Sequence, residues 1–253
     1  MEFSYLNDKD LLFCSKHILL PTIGIEGQQK LNCAEVTIFG LGGLGNLLST
    51  YIASSGIKKI NIVDFDVVEE TNLQRQINFS SEDVGSLKVD SIENFLNNKF
   101  KNLQIKKFKK KIETLADVEE IIKNSDIVLD GTDNFEVRKI INKACVKNKR
   151  KLIIGAVEGY TGQLTSVVTN DSPCYECTYE NLIDTNSCSD SGVLAPLVGM
   201  ISSMMAMECI NIITGNKSSF DKNLINNLSS LIFIISLMTT ESLSRFNIAR
   251  IYS

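Results

Sequence analysis

The run Gly40-Leu-Gly-Gly-Leu-Gly45 constrains this chain more than any other feature. It comes after a short apolar stretch, Val36–Phe39, and opens a helical pattern over Asn46–Ser55 that stops at Gly56; a second apolar stretch, Lys59–Asp64, comes next. Strand, glycine turn, helix and strand within about thirty residues is the length of one βαβ unit. Glycines let the backbone turn tightly and come close to a phosphate, and the helix N-terminus offers free N–H groups at the positive end of its dipole. Asp64 ends the second strand about twenty residues on, where a carboxylate bonds ribose hydroxyls. On these two features alone the chain could be a nicotinamide or flavin dehydrogenase, and the turn could equally serve only to pack helix against strand.

The pattern continues in alternation. The spacing predicts a helix over Ser86–Lys99, a strand over Leu103–Lys111, a helix over Ala116–Lys123, a strand over Asp126–Asp130, a helix over Phe135–Lys149 and a strand over Leu152–Gly155. The β-branched segment Gly162–Thr169 comes after them. This is the order of an α/β, Rossmann-like, doubly wound and mostly parallel sheet. The end differs: Val193–Thr214 reads as one long apolar helix, with Met200, Met204, Met205 and Met207 on and around its buried face. Strands at Leu231–Met238 and Ser244–Ile251 extend the sheet as C-terminal antiparallel strands. Residues 8–31 form two short helical pieces broken near Pro21 and Gly24, so 1–31 is a helical arm rather than a domain. With no repeat and no linker, residues 1–253 are expected to be a single domain. The run Lys107–Lys111 reads as the wet face and end of a strand.

Composition removes several function classes. Lys+Arg 26 against Asp+Glu 30 gives a net charge of −4, which argues against wholesale nucleic-acid binding. The single histidine, His17, has no nucleophile elbow downstream, so a Ser-His-Asp hydrolase and a His-rich metal site are both excluded. Seven cysteines with no leader pattern read as thiols or metal ligands in a reducing compartment. The strongly apolar run Leu231–Met238 is well under the roughly 20 residues that span a bilayer. The expectation is a soluble, cytoplasmic protein with no membrane partner.

Beyond the ribose acid the chain departs from a dehydrogenase. Asp64-Phe-Asp-Val-Val-Glu-Glu-Thr-Asn-Leu-Gln-Arg-Gln76 places Asp66, Asn72, Arg75 and Gln76 just past Asp64, and Gly85-Ser-Leu-Lys88 brings a lysine to a helix start. Asp130-Gly-Thr-Asp-Asn134 puts Asp133 in the loop beyond a strand's C-terminal end, the ligand side of an open α/β sheet. One arginine, one lysine and one carboxylate there suit a triphosphate, the cations neutralising oxygens around phosphorus and the acid holding Mg²⁺. Hydride transfer has no use for that set.

The ordered set Gly40–Gly45, Asp64, Asn72-Leu-Gln-Arg-Gln76, Lys88 and Asp130-Gly-Thr-Asp-Asn134 resembles the ThiF/MoeB/HesA adenylyltransferases, relatives of ubiquitin-activating enzymes. Ile18-Leu-Leu-Pro-Thr-Ile-Gly24, Pro173-Cys-Tyr-Glu-Cys177 and Gly192-Val-Leu-Ala-Pro-Leu-Val-Gly199 also match, so the resemblance runs from about Leu12 to Arg250. It implies that ATP adenylates the C-terminal carboxylate of a small ubiquitin-like sulfur-carrier protein ending in Gly-Gly. Asp64 would bind ribose, Asn72, Arg75 and Lys88 would meet the phosphates, and Gly40, Gly42, Gly43, Gly45, Asp66 and Gln76 would complete the ATP site. Asp133 would hold Mg²⁺, with Asn134 beside it. The family usually forms a homodimer in which an N-terminal basic residue reaches the neighbouring ATP. Where the family reads Arg-Tyr-Ser-Arg this chain has Phe13-Cys-Ser-Lys16, so Lys16 would act in trans without the guanidinium fork.

Cys174-x-x-Cys177 has the spacing of half a tetrahedral zinc site. The resemblance supplies a second pair in the last residues, where this sequence has none, so Zn²⁺ is expected to be absent unless other thiols or a second subunit complete the set. Cys188 matches the cysteine that joins sulfur transfer in ThiF-like members, and an exposed thiol near a cationic site can be a nucleophile. Cys33, Cys145 and Cys209 read as small core residues. The resulting expectation is an ATP-dependent adenylyltransferase of a ThiS/MoaD-like carrier, closer to ThiF than to MoeB. The alternatives are adenylation of a peptide C-terminus in modified-peptide biosynthesis, a nicotinamide oxidoreductase, and a non-catalytic scaffold.

Overall fold

Strand burial alternates between two apolar layers. The computed structural model describes residues 6–168, 175–176, 192–216 and, as backbone, 231–236. Five parallel strands, β1 (Glu35–Phe39), β2 (Lys59–Val63), β3 (Gln104–Phe108), β4 (Ile127–Asp130) and β5 (Lys151–Glu158), are joined by antiparallel β6 (Thr161–Val167) and β7 (Leu231–Ser236). Their order in one sheet is β3-β2-β1-β4-β5-β6-β7. The expected α/β, Rossmann-like, mostly parallel sheet with antiparallel C-terminal strands is therefore the fold observed.

On one face, Ile38, Ile60, Ile62, Leu129 and Ile153 pack with Leu48, Ile52 and Ile201. These last three come from α4 (Gly43–Ser54) and α8 (Ala195–Thr214), and α5 (Lys88–Lys99) lies beside α4. On the other, Phe39, Val63, Val128, Leu152 and Ile154 meet Val118 and Ile122 of α6 (Leu115–Ile122) and Ile141, Ala144 and Cys145 of α7 (Phe135–Lys147). Both faces are covered, so these strands are largely apolar along their length, with Thr37 and Asn61 as buried polar exceptions. The helix after β1 and the helix after β4 lie on opposite faces, and the strand order reverses between those neighbours. That is where an open α/β sheet leaves a crevice beyond its strand ends.

Several boundaries differ from expectation for local reasons. The N-terminal arm holds three helices rather than two pieces: α1 (Asp8–Phe13), α2 (Ser15–Ile18) and α3 (Gly24–Cys33). The first is capped by the Asn7 side chain, which accepts from the Asp10 N–H at 3.0 Å, and the third starts at Gly24, whose φ of +58 a side chain would resist. The glycine run is not a loop ahead of a helix starting at Asn46, because α4 begins at Gly43. Strand β5 runs to Glu158 rather than Gly155, since its antiparallel pairing with β6 holds residue 158 opposite Thr161. Strand β3 ends at Phe108, and the lysines from 107 to 111 pair with Asp90, Glu93, Asp117 and Glu113, which fits a wet strand end.

Helix α8 starts at Ala195, with Pro196 in the first turn where a missing N–H costs nothing, and Val193 instead bridges to Gly159. It is long and apolar enough to cross a membrane by length and composition, yet Leu197, Ile201, Met205 and Cys209 are fully buried. Met205 faces the core and Met204 packs at its margin, whereas Met200 and Met207 are exposed, so the buried face is narrower than the methionine spacing suggested. Cys145 and Cys209 are core residues as expected, Cys33 is only half-buried, and Cys14 is buried. The Ser244–Ile251 strand and the end of the Leu231–Met238 strand lie outside the described residues.

Candidate functional site

The glycine turn is built by close approach. Gly40 leaves β1 with φ +77, and a Cβ there would meet the Thr132 N at 3.0 Å. At Gly45 a Cβ would lie 1.8 Å from the Gly40 carbonyl oxygen, so only hydrogen fits. The first turn of α4 has no side-chain cap, because the cap residue is Gly42, and the first N–H to bond back is that of Asn46, to the Gly42 carbonyl at 3.0 Å. The preceding N–H groups are left for a ligand at the positive end of the helix. The same glycine turn lies against the Gly131–Thr132 backbone, so the loops after β1 and β4 form the two sides of the crevice.

Asp64 closes this arrangement from β2. Its Oδ2 accepts the Leu41 N–H at 2.6 Å and its Oδ1 the Asp66 N–H at 2.8 Å. An ionised carboxylate has about four acceptor positions, so two remain for a ribose diol. Asp66 passes the connection on, since its Oδ2 lies 2.8 Å from the Lys88 Nζ. Lys88 is nearly buried, and its backbone N–H donates to the Asp66 carbonyl at 3.0 Å. A cation so held is desolvated in place and ready for an anionic oxygen.

Arg75 lies across the glycine turn. Its Cγ is 3.9 Å from where a Gly43 side chain would begin, and its Nη1 donates to the Thr71 carbonyl at 3.0 Å. The segment behind it is tied to α4: the Asn78 N–H donates to Asn46 Oδ1 at 3.0 Å, and Asn78 Nδ2 donates to the Asn46 carbonyl at 2.6 Å. Gln76 is buried, and its Oε1 has no hydrogen-bond partner among the described residues. Asp133 is exposed, and its carboxylate has no hydrogen bond or ion pair among the described residues. A free carboxylate next to Thr132, on the loop that lies against the uncapped glycine turn where Arg75 also sits, is a donor set that fits a magnesium-bound triphosphate.

The expected residues are not all equivalent. Gly40, Gly42, Gly43, Gly45, Asp64, Asp66, Arg75 and Lys88 are linked through the contacts above, and Asp133 follows Thr132 on the loop that lies against the glycine turn. Asn72 is engaged locally, its Oδ1 accepting the Glu69 N–H at 3.2 Å, and Asn134 caps α7 by accepting the Val137 N–H at 3.0 Å. Lys16 is exposed at the end of α2 and forms no ion pair among the described residues. Cys174, Cys177 and Cys188 lie outside the described residues. Between the first two, Tyr175 is buried on α7, its N–H donating to Asn142 Oδ1 at 3.0 Å and its ring 5.9 Å from that of Phe135.

Sequence reasoning missed Asp130 and Arg138. Asp130 is fully buried, which pushes its carboxyl above the usual carboxylate range, while the Arg138 guanidinium opposes that shift. The signal for Arg138 was available: Arg138, Ile141, Asn142 and Cys145 fall on the i, i+3, i+4, i+7 spacing of the buried face of α7.

Residues 14–245 match the ThiF family. This chain belongs to that family. It is 37% identical over 214 residues to the adenylyltransferase and sulfurtransferase MOCS3 of Culex quinquefasciatus, covering 83% of this chain and 49% of that protein. The chain thus spans about half the length of the MOCS3 relatives it matches. The molybdopterin-synthase adenylyltransferase of Escherichia coli is 37% identical over 213 residues, 83% of this chain and 85% of that one. Among solved structures, E. coli MccB with ATP superposes with a TM-score of 0.66 at 27% identity, covering 76% of this chain and 59% of MccB.

Proposed function

We propose that this chain adenylates the C-terminal carboxylate of a small ubiquitin-like sulfur-carrier protein ending in Gly-Gly, consuming ATP and releasing pyrophosphate. The observation that carries this reading is the contact chain from the uncapped start of α4 through Leu41, Asp64 and Asp66 to Lys88, with Arg75 on the glycine turn. Adenylyltransferase activity in the MOCS3 and E. coli relatives supports it.

The partner's carboxylate oxygen is the nucleophile. It forms a bond to the α-phosphorus as the bond from that phosphorus to the bridging oxygen breaks, and pyrophosphate leaves with the electron pair. No proton is transferred in this step, so no general base is required, and alignment with charge stabilisation supplies the catalysis. Asp64 orients the ribose, the first N–H groups of α4 bind phosphate oxygens, and Arg75 and Lys88 neutralise charge on the transferring and leaving groups. Mg²⁺ on Asp133, when bound, screens the negative charge of the triphosphate. Lys16 of a second copy reaches the same phosphates in a homodimer. The exposed apolar side chains of the arm, Leu12, Phe13, Leu19 and Leu20, support such an interface.

The name of the E. coli relative weighs toward a molybdopterin-type carrier, against the expectation of a chain closer to ThiF than to MoeB. Cys188 is then a candidate for the later sulfur-transfer step, in the reducing cytoplasm that the cysteine usage suggests. A second reading, activation of a peptide C-terminus, is favoured by the likeness to MccB solved with MccA. Intact-mass spectrometry of carrier or peptide after incubation with the chain and Mg²⁺-ATP separates the two. Addition of one AMP to the Gly-Gly carrier supports the first, addition only to the peptide supports the second, and addition to neither contradicts both.

A further inference from the structure

The loop that presents Asp133 has no regular structure, yet it is gripped from both sides through one residue. The Thr132 N–H donates to Asp130 Oδ1 at 2.9 Å, and the Thr132 hydroxyl donates to the same oxygen at 2.7 Å. From the opposite side, Arg138 Nε donates to the Thr132 carbonyl at 3.1 Å, Nη2 adds a second bond to it, and Nη2 also donates to the Gly155 carbonyl on β5 at 3.3 Å. The Gly131 N–H donates to the Phe39 carbonyl at the end of β1, 2.9 Å away. Donor, hydroxyl and acceptor of the residue just before Asp133 are therefore all fixed, against β4, α7 and β5 together.

Both gripping groups are placed where charge is costly. Asp130 is 0% exposed and Arg138 9%, and Oδ2 of Asp130 has no partner among the described residues. Arg138 occupies a position in the buried stripe of α7 that an apolar side chain would fill at lower cost. Thr132 has two polar backbone groups to satisfy and a loop to hold, and a guanidinium fork with an opposed carboxylate does both with fixed geometry.

The geometry points to Asp130 and Arg138 as positioning residues that set the place of the Asp133 carboxylate, and so of the divalent cation on the triphosphate, without touching either. This rests on the role proposed for Asp133. Removing the grip leaves the ribose side of the site, built on Asp64 and the glycine turn, unchanged. It lets Asp133 drift, so the effect falls on metal-dependent triphosphate binding and not on binding of the nucleoside monophosphate.

Isothermal titration of ATP into the full chain at a series of Mg²⁺ concentrations, beside titration of AMP without metal, reads the two separately. Arg138→Met keeps length and apolar bulk but removes the fork. It is expected to raise the Mg²⁺ concentration needed for half-maximal ATP affinity about ten-fold, the usual effect of losing a residue that orients a metal ligand. AMP affinity stays at the parental value, and Arg138→Lys recovers part of the shift. Thr132→Val, which removes only the hydroxyl bond, gives a smaller shift of the same sign and serves if Arg138→Met does not fold. A parental Mg²⁺ curve in these variants, while Asp133→Asn shifts it, overturns the positioning role alone. Equal losses of AMP and ATP affinity overturn it in favour of a general structural role. If Asp133→Asn leaves the curve unmoved, Asp133 is not the ligand of the ion, and both readings fall.

Discussion

The glycine turn makes a sharp prediction, because two of its glycines have opposite surroundings. A Cβ at Gly45 would sit 1.8 Å from the Gly40 carbonyl oxygen and 2.9 Å from its carbon. Non-bonded carbon contacts rest at about 3.5–4.0 Å, so the turn must open by more than an ångström. No rotamer change relieves this, since both partners are backbone. Overpacking of a tight core costs about 1–3 kcal/mol, and a backbone clash belongs at the top of that range. For a chain of this size each kcal/mol moves Tm by about 2–4 °C, so Gly45→Ala should lower Tm by about 6–12 °C and weaken ATP binding with it. Gly42→Ala is the contrast: its φ is −69 and nothing lies within 4 Å of the added carbon. Tm should stay within about 2 °C of the parent, while ATP affinity falls because the methyl enters the space before the α4 N-terminus. Thermal denaturation with ATP titration measures both. Parental Tm and parental ATP affinity in Gly45→Ala would refute the close approach, and normal ATP binding by Gly42→Ala would remove phosphate from the start of α4.

Arg75→Ala or Asp133→Ala should abolish ATP–pyrophosphate exchange while leaving the fold intact by circular dichroism; retained exchange removes those roles. Burial pushes the Cys14 thiol up to about 11 and raises those of Cys145 and Cys209 as well. Mass mapping after brief alkylation near pH 8 should therefore find these three unlabelled in the native chain and labelled in denaturant. The Lys110 ammonium and the Thr114 cap hold Asp117 below the usual carboxylate range. A depressed carboxyl contributes stability above its unfolded value near 3.8 and loses it as pH falls through the folded value. Asp117→Asn should accordingly melt earlier than the parent at pH 7, with the gap closing on acidification; a gap that widens in acid contradicts the assignment.

Much of the fold was legible because its signals are local. The strand–turn–helix–strand unit around Gly40–Gly45 shows in apolar runs and glycine spacing, and the central parallel strands are largely apolar segments. Boundaries were lost where a distant partner decides them. The extension of β5 to Glu158 depends on pairing with β6, and the helical start at Gly43 depends on the Gly40 carbonyl that Gly45 approaches. The site divides in the same way. Asp64, Arg75, Lys88 and Asp133 stand in a recognisable order, whereas Asp130 and Arg138 act only through Thr132, and that contact joins residues of three elements. Asn72 and Asn134, counted from the motif as nucleotide contacts, have backbone capping bonds that order along the chain does not reveal.

The central claim is carboxylate adenylation that depends on a Gly-Gly tail. ATP–pyrophosphate exchange with candidate ubiquitin-like carriers, each beside a version lacking the terminal glycine, tests it most directly. The account predicts exchange that requires Mg²⁺ and the intact tail and vanishes in Arg75→Ala. ATP binding without exchange for any carrier would contradict it.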